Sequence, residues 1–241
     1  MKKKLFATGA VIGLAGVLNA EIFTTGLTGN TSYDGWDSFA TNDIPNYSSG
    51  TWPGFFGTGD WPTPIGSNEG GSGDAEFDKV SGYGYPITSA NYIYVGTLSG
   101  TGVFAVTDNT VVSDIETLVF AIQYGDADGS TSLADGISLI INGSTAVDSG
   151  LVSSYNLGSS VISSDYGEAT VQTLLYQWDL TSITEEISSV SLSFTMATHG
   201  QIYGLQLEQS DTYAAVPEPA TAMMLAVAGG IIALIRRLRL R

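Results

Sequence analysis

Apolar and polar residues alternate along several stretches in the middle of this chain. The clearest stretch is residues 190–196, where Val190, Leu192, Phe194 and Met196 are separated by Ser or Thr. A period of two is the spacing of side chains on one face of a β-strand. No long segment between the two chain ends shows the 3.6-residue period of an amphipathic helix, so the pattern predicts β-structure.

Clusters of Gly, Ser, Asn and Asp separate the strand candidates, as turns require. Strands with one apolar face must bury it against a second layer. The sequence therefore predicts an all-β, two-sheet antiparallel β-sandwich of jelly-roll type. One competing helix signal, a single turn, lies at residues 182–187. The seven predicted strands are residues 92–98, 102–107, 116–124, 136–141, 171–180, 190–196 and 202–208.

The N-terminus carries a secretory signal pattern. Lys2, Lys3 and Lys4 precede an apolar run at residues 5–18, and Ala20 follows it. A basic start, a short apolar stretch and a small residue at the exit are typical of a signal peptide. The run is shorter than the ~20 residues of an ordinary anchor, so residues 1–20 are predicted to form a signal helix that is removed.

The C-terminus carries a second apolar helix pattern at residues 220–235. A helix of this length spans about 24 Å at 1.5 Å per residue, which is short for a hydrocarbon core of about 30 Å. Pro217, Glu218 and Pro219 precede it, and a cluster that begins with Arg236 and Arg237 follows it. Basic residues after the helix place that end in the cytoplasm. An ordinary anchor with a proline-rich stalk is the alternative interpretation.

This order of a Pro-Glu-Pro triplet, a short apolar helix and terminal arginines resembles the PEP-CTERM sorting signal of Gram-negative bacteria. The resemblance covers residues 216–241 and implies that an exosortase recognises Pro217, Glu218 and Pro219 and cleaves the tail nearby. It implies export across the inner membrane, transient or stable anchoring by the C-terminal helix, and a place in the cell envelope or outside the cell. Exported domains of this kind often accompany exopolysaccharide production, so the resemblance predicts a location rather than an activity.

Charge separates the predicted exported domain, residues 21–215, from the two ends. It contains 23 of the 24 Asp and Glu residues, and Lys79 is its one Lys or Arg, which gives a formal charge of −22. Such a surface cannot neutralise phosphates, which excludes nucleic acid as a partner. The chain has no cysteine, so disulfides and thiolate metal sites are excluded as well.

A region at residues 26–84 is rich in Gly, Pro and aromatic residues and has few recognisable strands. Its tryptophans, Trp36, Trp52 and Trp61, suit a glycan platform, because flat rings can stack on the apolar faces of sugars. The alternatives are that these rings form a hydrophobic cluster that caps the sandwich or that they form a patch that binds another protein.

An acidic turn provides the candidate metal site. Asp126, Asp128 and Asp135 place oxygen ligands around a Gly-containing turn, a composition that suits Ca²⁺. Ile137 occupies the position at which an EF-hand loop would need Glu, so the turn does not follow that motif. Turn chemistry alone also favours Asp and Gly here, and no other cofactor is predicted.

Catalytic groups are sparse in the sequence. His199 is the one histidine, it reads as part of a turn, and no nucleophile elbow precedes a helix. We therefore predict a protein that is not an enzyme: an exported, exosortase-sorted surface protein or exopolysaccharide-matrix protein. A lectin-like glycan-binding module, assisted by Ca²⁺, is the first alternative, and a secreted glycoside hydrolase with paired carboxylates is the second.

Overall fold

The computed structural model describes residues 22–45, 59–96, 100–125, 133–147, 151–164 and 167–216. Within these ranges the chain is all-β, and its strands form two antiparallel sheets. The strands are β1 (Thr31–Trp36), β2 (Ile65–Gly66), β3 (Glu76–Gly82), β4 (Tyr85–Ile87), β5 (Tyr92–Tyr94), β6 (Gly102–Asp108), β7 (Thr117–Gly125), β8 (Leu133–Ile141), β9 (Thr145–Ala146), β10 (Leu151–Ser164), β11 (Gly167–Asp179), β12 (Val190–Met196) and β13 (Gln201–Ser210).

Sheet 1 has the strand order β10-β11-β7-β13-β5-β4. Strand β5 pairs with residues 201–202 of β13, and β1 pairs with residues 205–210 of the same strand. Sheet 2 has the order β2-β3-β6-β12-β8-β9. From β6 onward the chain alternates between the sheets, apart from the hairpins β8–β9 and β10–β11. Most neighbouring strands are therefore distant in sequence, so the sandwich depends on long-range pairing.

The main core lies between the two sheets and is rich in aromatic rings. Phe120 of sheet 1 and Phe194 of sheet 2 have ring centroids 5.9 Å apart, and Trp36 of sheet 1 lies 6.4 Å from Phe77 of sheet 2. These contacts join the inner faces of both sheets in one buried cluster. Gly84 packs directly against the same cluster. A Cβ at this position would lie 2.5 Å from the Phe104 ring, which is too close for any larger residue.

The prediction of a two-sheet antiparallel sandwich is confirmed, and the strongest alternation located its strands well. β12 coincides with the predicted residues 190–196, and β7 is displaced by one residue from the predicted 116–124. The competing helix signal at residues 182–187 does not form a helix. The chain makes a turn in which Ile183 N donates to Leu180 O at 3.0 Å, and it then runs irregularly to β12.

In residues 26–84, where the sequence showed few recognisable strands, the described part contains the short strands β1, β2 and β3. The inward positions of β3 include Lys79 beside Phe77, while Val80 is 48% exposed. β1 likewise buries Asp34. A polar residue on the inner face and an apolar residue on the outer face cancel the alternation from which a strand is predicted.

Both terminal segments of the described chain lie on the outer face of sheet 1. Val119, Leu175 and Val216 are buried in a second cluster there, and Phe23 and Leu27 pack against it. Val119 points away from the main core, since its neighbours in β7 belong to the inner cluster and successive side chains alternate. The N-terminal segment (residues 22–30) and the C-terminal segment (residues 211–216) therefore meet on one side of the sandwich.

Two buried glutamines bind these segments through their backbones. The Gln206 amide exchanges hydrogen bonds with Phe23, accepting from N at 3.1 Å and donating to O at 2.6 Å. The Gln177 amide donates to Ala214 O at 2.7 Å and accepts from Val216 N at 3.0 Å. Each amide thus takes the place of a neighbouring strand, which satisfies backbone groups that would otherwise be buried without partners.

Candidate functional site

A pocket of about 670 Å³ opens at one end of the sandwich. Its lining comes from the β6–β7 connection, residues 109–111 and 113–116, and from the β11–β12 connection, residues 180, 181 and 183–188. Leu180 and Ile187 form part of its apolar floor and also belong to the main core. The pocket is therefore fixed to the core while both of its walls are surface connections.

Four carboxylates line this pocket, those of Asp114, Glu116, Glu185 and Glu186. Its lining contains no basic side chain, so the pocket attracts cations and repels anions such as phosphate. Glu116 is already used structurally, since its Oε2 accepts a hydrogen bond from Tyr213 N at 2.8 Å. A glycoside hydrolase needs two carboxylates that are free to act on the glycosidic bond. The hydrogen bond from Tyr213 already engages Glu116, one of the four.

A polar layer closes the core at the same end. Asp34 of β1 accepts from Ala75 N at 3.0 Å, which ties sheet 1 to the start of β3. Asp108 of β6 accepts from the Gln209 side chain of β13 and from Thr110 N at 2.7 Å. Burial raises the pKa of Asp34, and the negative charges of Asp108 and Asp74 add to that effect. These buried groups link the two sheets and support the pocket wall.

A second electrostatic feature lies on β3. Burial raises the pKa of Asp78 to about 6, and the nearby carboxylates of Asp60 and Glu76 act in the same direction. Burial lowers the pKa of Lys79 to about 8, against the attraction of Asp78 and Asp60. The one Lys or Arg of the predicted exported domain is therefore enclosed in the sandwich, and it leaves the outer surface acidic.

We expect the free energy of unfolding to pass through a minimum between about pH 6 and pH 8. Asp78 has a higher pKa in the fold than in the unfolded chain, so its contribution is lost as the pH rises from about 4 through 6. Lys79 has a lower pKa in the fold than in the unfolded chain. Its contribution therefore raises the free energy of unfolding again as the pH rises above 8. Urea unfolding between pH 4 and pH 7 should show a loss of about 2 kcal/mol from Asp78.

In the variant Asp78→Asn the free energy of unfolding should fall less between pH 4 and pH 7. The control Asp37→Asn, which removes an exposed carboxylate, should show the same fall as the unmodified chain. Equal slopes in the two variants would contradict the assignment to Asp78. Asp34 contributes in the same direction as Asp78, so a smaller slope should persist in Asp78→Asn.

The tryptophans predicted to bind glycans lie inside the protein where they are described. Trp36 is 0% exposed and donates from Nε1 to Ile65 O at 2.9 Å. Trp61 is 5% exposed and donates from Nε1 to Gly84 O at 3.0 Å. Neither ring offers a face to a sugar, which corrects the glycan-platform prediction for these two residues in favour of the hydrophobic cluster. Trp52 lies outside the described residues.

The predicted Ca²⁺ turn also falls largely outside the described ranges. Asp126 and Asp128 are not described, and for Asp135 the structure gives a backbone position within β8. Among the residues that are described, no three acidic or histidine side chains converge tightly enough to hold a metal ion. The Ca²⁺ site at Asp126, Asp128 and Asp135 stays a prediction.

His199 occupies a turn, as its sequence context suggested, and has a backbone role there. Its φ is +68°, and its N donates to Val95 O at 2.5 Å. The Nδ1 atom lies 2.5 Å from the hydroxyl of Tyr94. These contacts connect the β12–β13 turn to β5, so the histidine is engaged in the fold.

The sorting residues Pro217, Glu218, Pro219, Arg236 and Arg237 lie outside the described part of the chain, as does the predicted signal helix. In the described ranges, no helix has the length and apolar character needed to cross a membrane. No protein-family model matches this chain. No curated protein and no solved structure matches it either. Inference about function therefore rests on the geometry of the sandwich and on the sequence of the two chain ends.

The sequence alone does not identify the pocket. The Thr184-Glu185-Glu186 stretch has the composition of a helical turn, and the wall at residues 109–116 carries no motif. The one available signal is the clustering of acids in two separate connections. That signal is weak in a chain with so many Asp and Glu residues.

Proposed function

We propose that this chain is an exported, non-catalytic surface protein that a C-terminal sorting tail carries to the cell envelope. In this proposal residues 1–20 direct export, residues 216–241 act as a PEP-CTERM signal for an exosortase, and the sandwich becomes part of the surface or of an exopolysaccharide matrix. We further propose that the sandwich is a jelly roll, because its strands from β6 to β13 alternate between the sheets apart from two hairpins.

The observation that carries the proposal is that the two terminal segments of the described chain, residues 22–30 and 211–216, meet on the outer face of sheet 1. Phe23, close to the predicted signal cleavage at Ala20, packs in the same cluster as Val216, which directly precedes Pro217. A domain held by a tail at this face would turn the opposite face and the connections at its ends away from the membrane. This arrangement suits display on a surface.

The electrostatics support the same function. Lys79 is 0% exposed, so the surface of the described residues is dominated by carboxylates. On displayed domains these carboxylates repel one another wherever they would meet, and they keep the surface hydrated. Such a surface suits a protein that resides in a hydrated extracellular matrix.

Replacement of Glu218 by Gln should leave export intact and stop the processing of the tail. Intact-mass measurement on envelope and medium fractions should then show a chain that has lost residues 1–20 and kept its C-terminus. The matched control is Glu185→Gln, which removes the same charge from a surface connection and should be processed normally. An unchanged mature mass in Glu218→Gln would count against the sorting assignment.

A further inference from the structure

Strand β10 lies at an edge of sheet 1 and differs in composition from the rest of the domain. Among the described strands it pairs with β11 alone. Its 14 residues, Leu151–Ser164, contain no charged side chain and no proline. Natural edge strands usually carry charges or prolines that block further pairing, and β10 has neither, within an exported domain of formal charge −22.

Among the described residues, the last four pairs of the β10–β11 hairpin, from Val161 with Thr170 to Ser164 with Gly167, extend past β7 as a two-stranded arm. β11 pairs with β7 from Val171 to Asp179, whereas its residues 167–170 have their described partners on β10. A two-stranded ribbon alone is marginally stable in water, and three or more strands are needed for independent stability. The arm therefore gains from an additional strand.

The edge of the arm is regular enough to accept such a strand. Two register shifts interrupt β10, one between Leu151 and Ser153 and the other between Asn156 and Gly158. After the second shift the pairing with β11 runs without interruption from Gly158 to Ser164. Val161 stands at the middle of this stretch with 63% of its surface exposed.

We propose that the regular stretch Gly158–Ser164 of β10 pairs with the same stretch of a second copy of this chain. Antiparallel pairing about a twofold axis at Val161 joins the two copies of sheet 1 into one continuous sheet. Each arm then belongs to a four-stranded sheet, and the two Val161 side chains cover one another. A symmetric contact of this kind is self-complementary.

The lack of charge at this edge favours a second copy of the chain as the partner. Two copies of a domain with formal charge −22 repel one another wherever carboxylates would meet. The Gly158–Ser164 edge brings no charge to the contact, so backbone hydrogen bonds can form there without pairing like charges. A short edge contact is weak in solution, and display of many copies on one surface raises their effective concentration. The effective concentration in this argument rests on the proposed function, whereas the pairing itself rests on the composition and exposure of β10.

The natural absence of cysteine allows a direct test in the full chain, exported in a Gram-negative host. The variant Val161→Cys should form a disulfide-linked dimer under mild oxidation. Residues opposite each other in an antiparallel pair have Cα atoms about 4.5–5.5 Å apart, within the range of about 4.4–6.8 Å that a disulfide needs. The matched control is Val80→Cys on β3, which is 48% exposed and lies between β2 and β6.

We expect at least a fivefold higher dimer yield for Val161→Cys than for Val80→Cys on a non-reducing gel. Ser160→Cys should fall between them, because it lies one residue from the axis. In the double variant Ser160→Cys with Val161→Lys the yield should drop to the level of the control, since two lysines would meet at the axis. Equal yields at positions 161 and 80 would overturn the proposal, and so would an adduct whose mass shows a different protein.

Discussion

Replacement of Phe77 by Ala should destabilise the β-sandwich by about 3–5 kcal/mol, the range for a buried aromatic residue. Phe77 is 0% exposed and stands at the centre of the aromatic core. Its ring centroid lies 5.4 Å from that of Trp61 and 5.7 Å from that of Phe104. Because it also contacts Trp36 across the two sheets, its loss opens a cavity that the surrounding strands cannot close.

Urea unfolding followed by tryptophan fluorescence measures this loss directly, since Trp36 and Trp61 both contact Phe77. The control is Val80→Ala on the same strand, where a 48% exposed side chain should change the unfolding free energy by about 0.5 kcal/mol or less. A loss below about 1.5 kcal/mol in Phe77→Ala would show that the core does not close around this ring.

Replacement of Gln177 by Leu should release the C-terminal segment and lower the unfolding free energy by about 1–3 kcal/mol. Leucine keeps most of the buried volume but leaves Ala214 O and Val216 N without their side-chain partner. Val216 is buried with Val119 and Leu175 and Ala214 is half-buried, so the desolvation of Val216 N in particular is not compensated. Hydrogen exchange should become faster at residues 212–216, and this acceleration should exceed that of the strands.

The matched control is Gln206→Leu, which removes the equivalent bonds to Phe23. It should accelerate exchange in the N-terminal segment and leave residues 212–216 protected. Equal acceleration of both segments in both variants would contradict two separate attachments. It would point instead to a general loosening of the outer face.

The attachment by Gln177 bears on the proposed sorting function because it fixes the residue before Pro217. Thr117 adds to it, donating to Thr212 O at 2.9 Å and accepting from Ala214 N at 3.2 Å. The domain therefore extends to Val216 as a packed structure. A tail that begins at Pro217 would follow directly from a residue packed on the outer face of sheet 1, which under the proposed function would give the sandwich a defined orientation at the surface.

The alternation of apolar and polar residues identified the strands that have one buried face and one face towards solvent. β12 shows this most clearly, with every second residue buried from Val190 to Met196. It failed for β3, where Lys79 is buried and Val80 is exposed. It also failed for β10, where the residues from Gly158 to Val161 are all exposed. The periodicity of a strand reports its environment, so a strand with both faces in water carries no such signal.

The candidate sites depended even more on contacts that sequence does not reveal. Trp36 and Trp61 lie in a Gly- and Pro-rich region that resembles an exposed loop, yet their indole nitrogens bind backbone carbonyls deep in the core. Asp108 and Gln209 are 101 residues apart in the chain, and Phe23 and Gln206 are 183 apart. No local pattern marks such pairs, because their meeting depends on the order of strands in each sheet.

By itself the sequence determined the all-β class, the two-sheet sandwich and the acidic character of the predicted exported domain. These properties follow from composition and from the period-two spacing of apolar residues, which act over a few neighbours. Tertiary structure alone decided that Lys79 and two tryptophans are buried, that two connections form an acidic pocket, and that both terminal segments meet on one face. These features arise from contacts between strands far apart in the chain, and their energy appears only when the sheets are assembled.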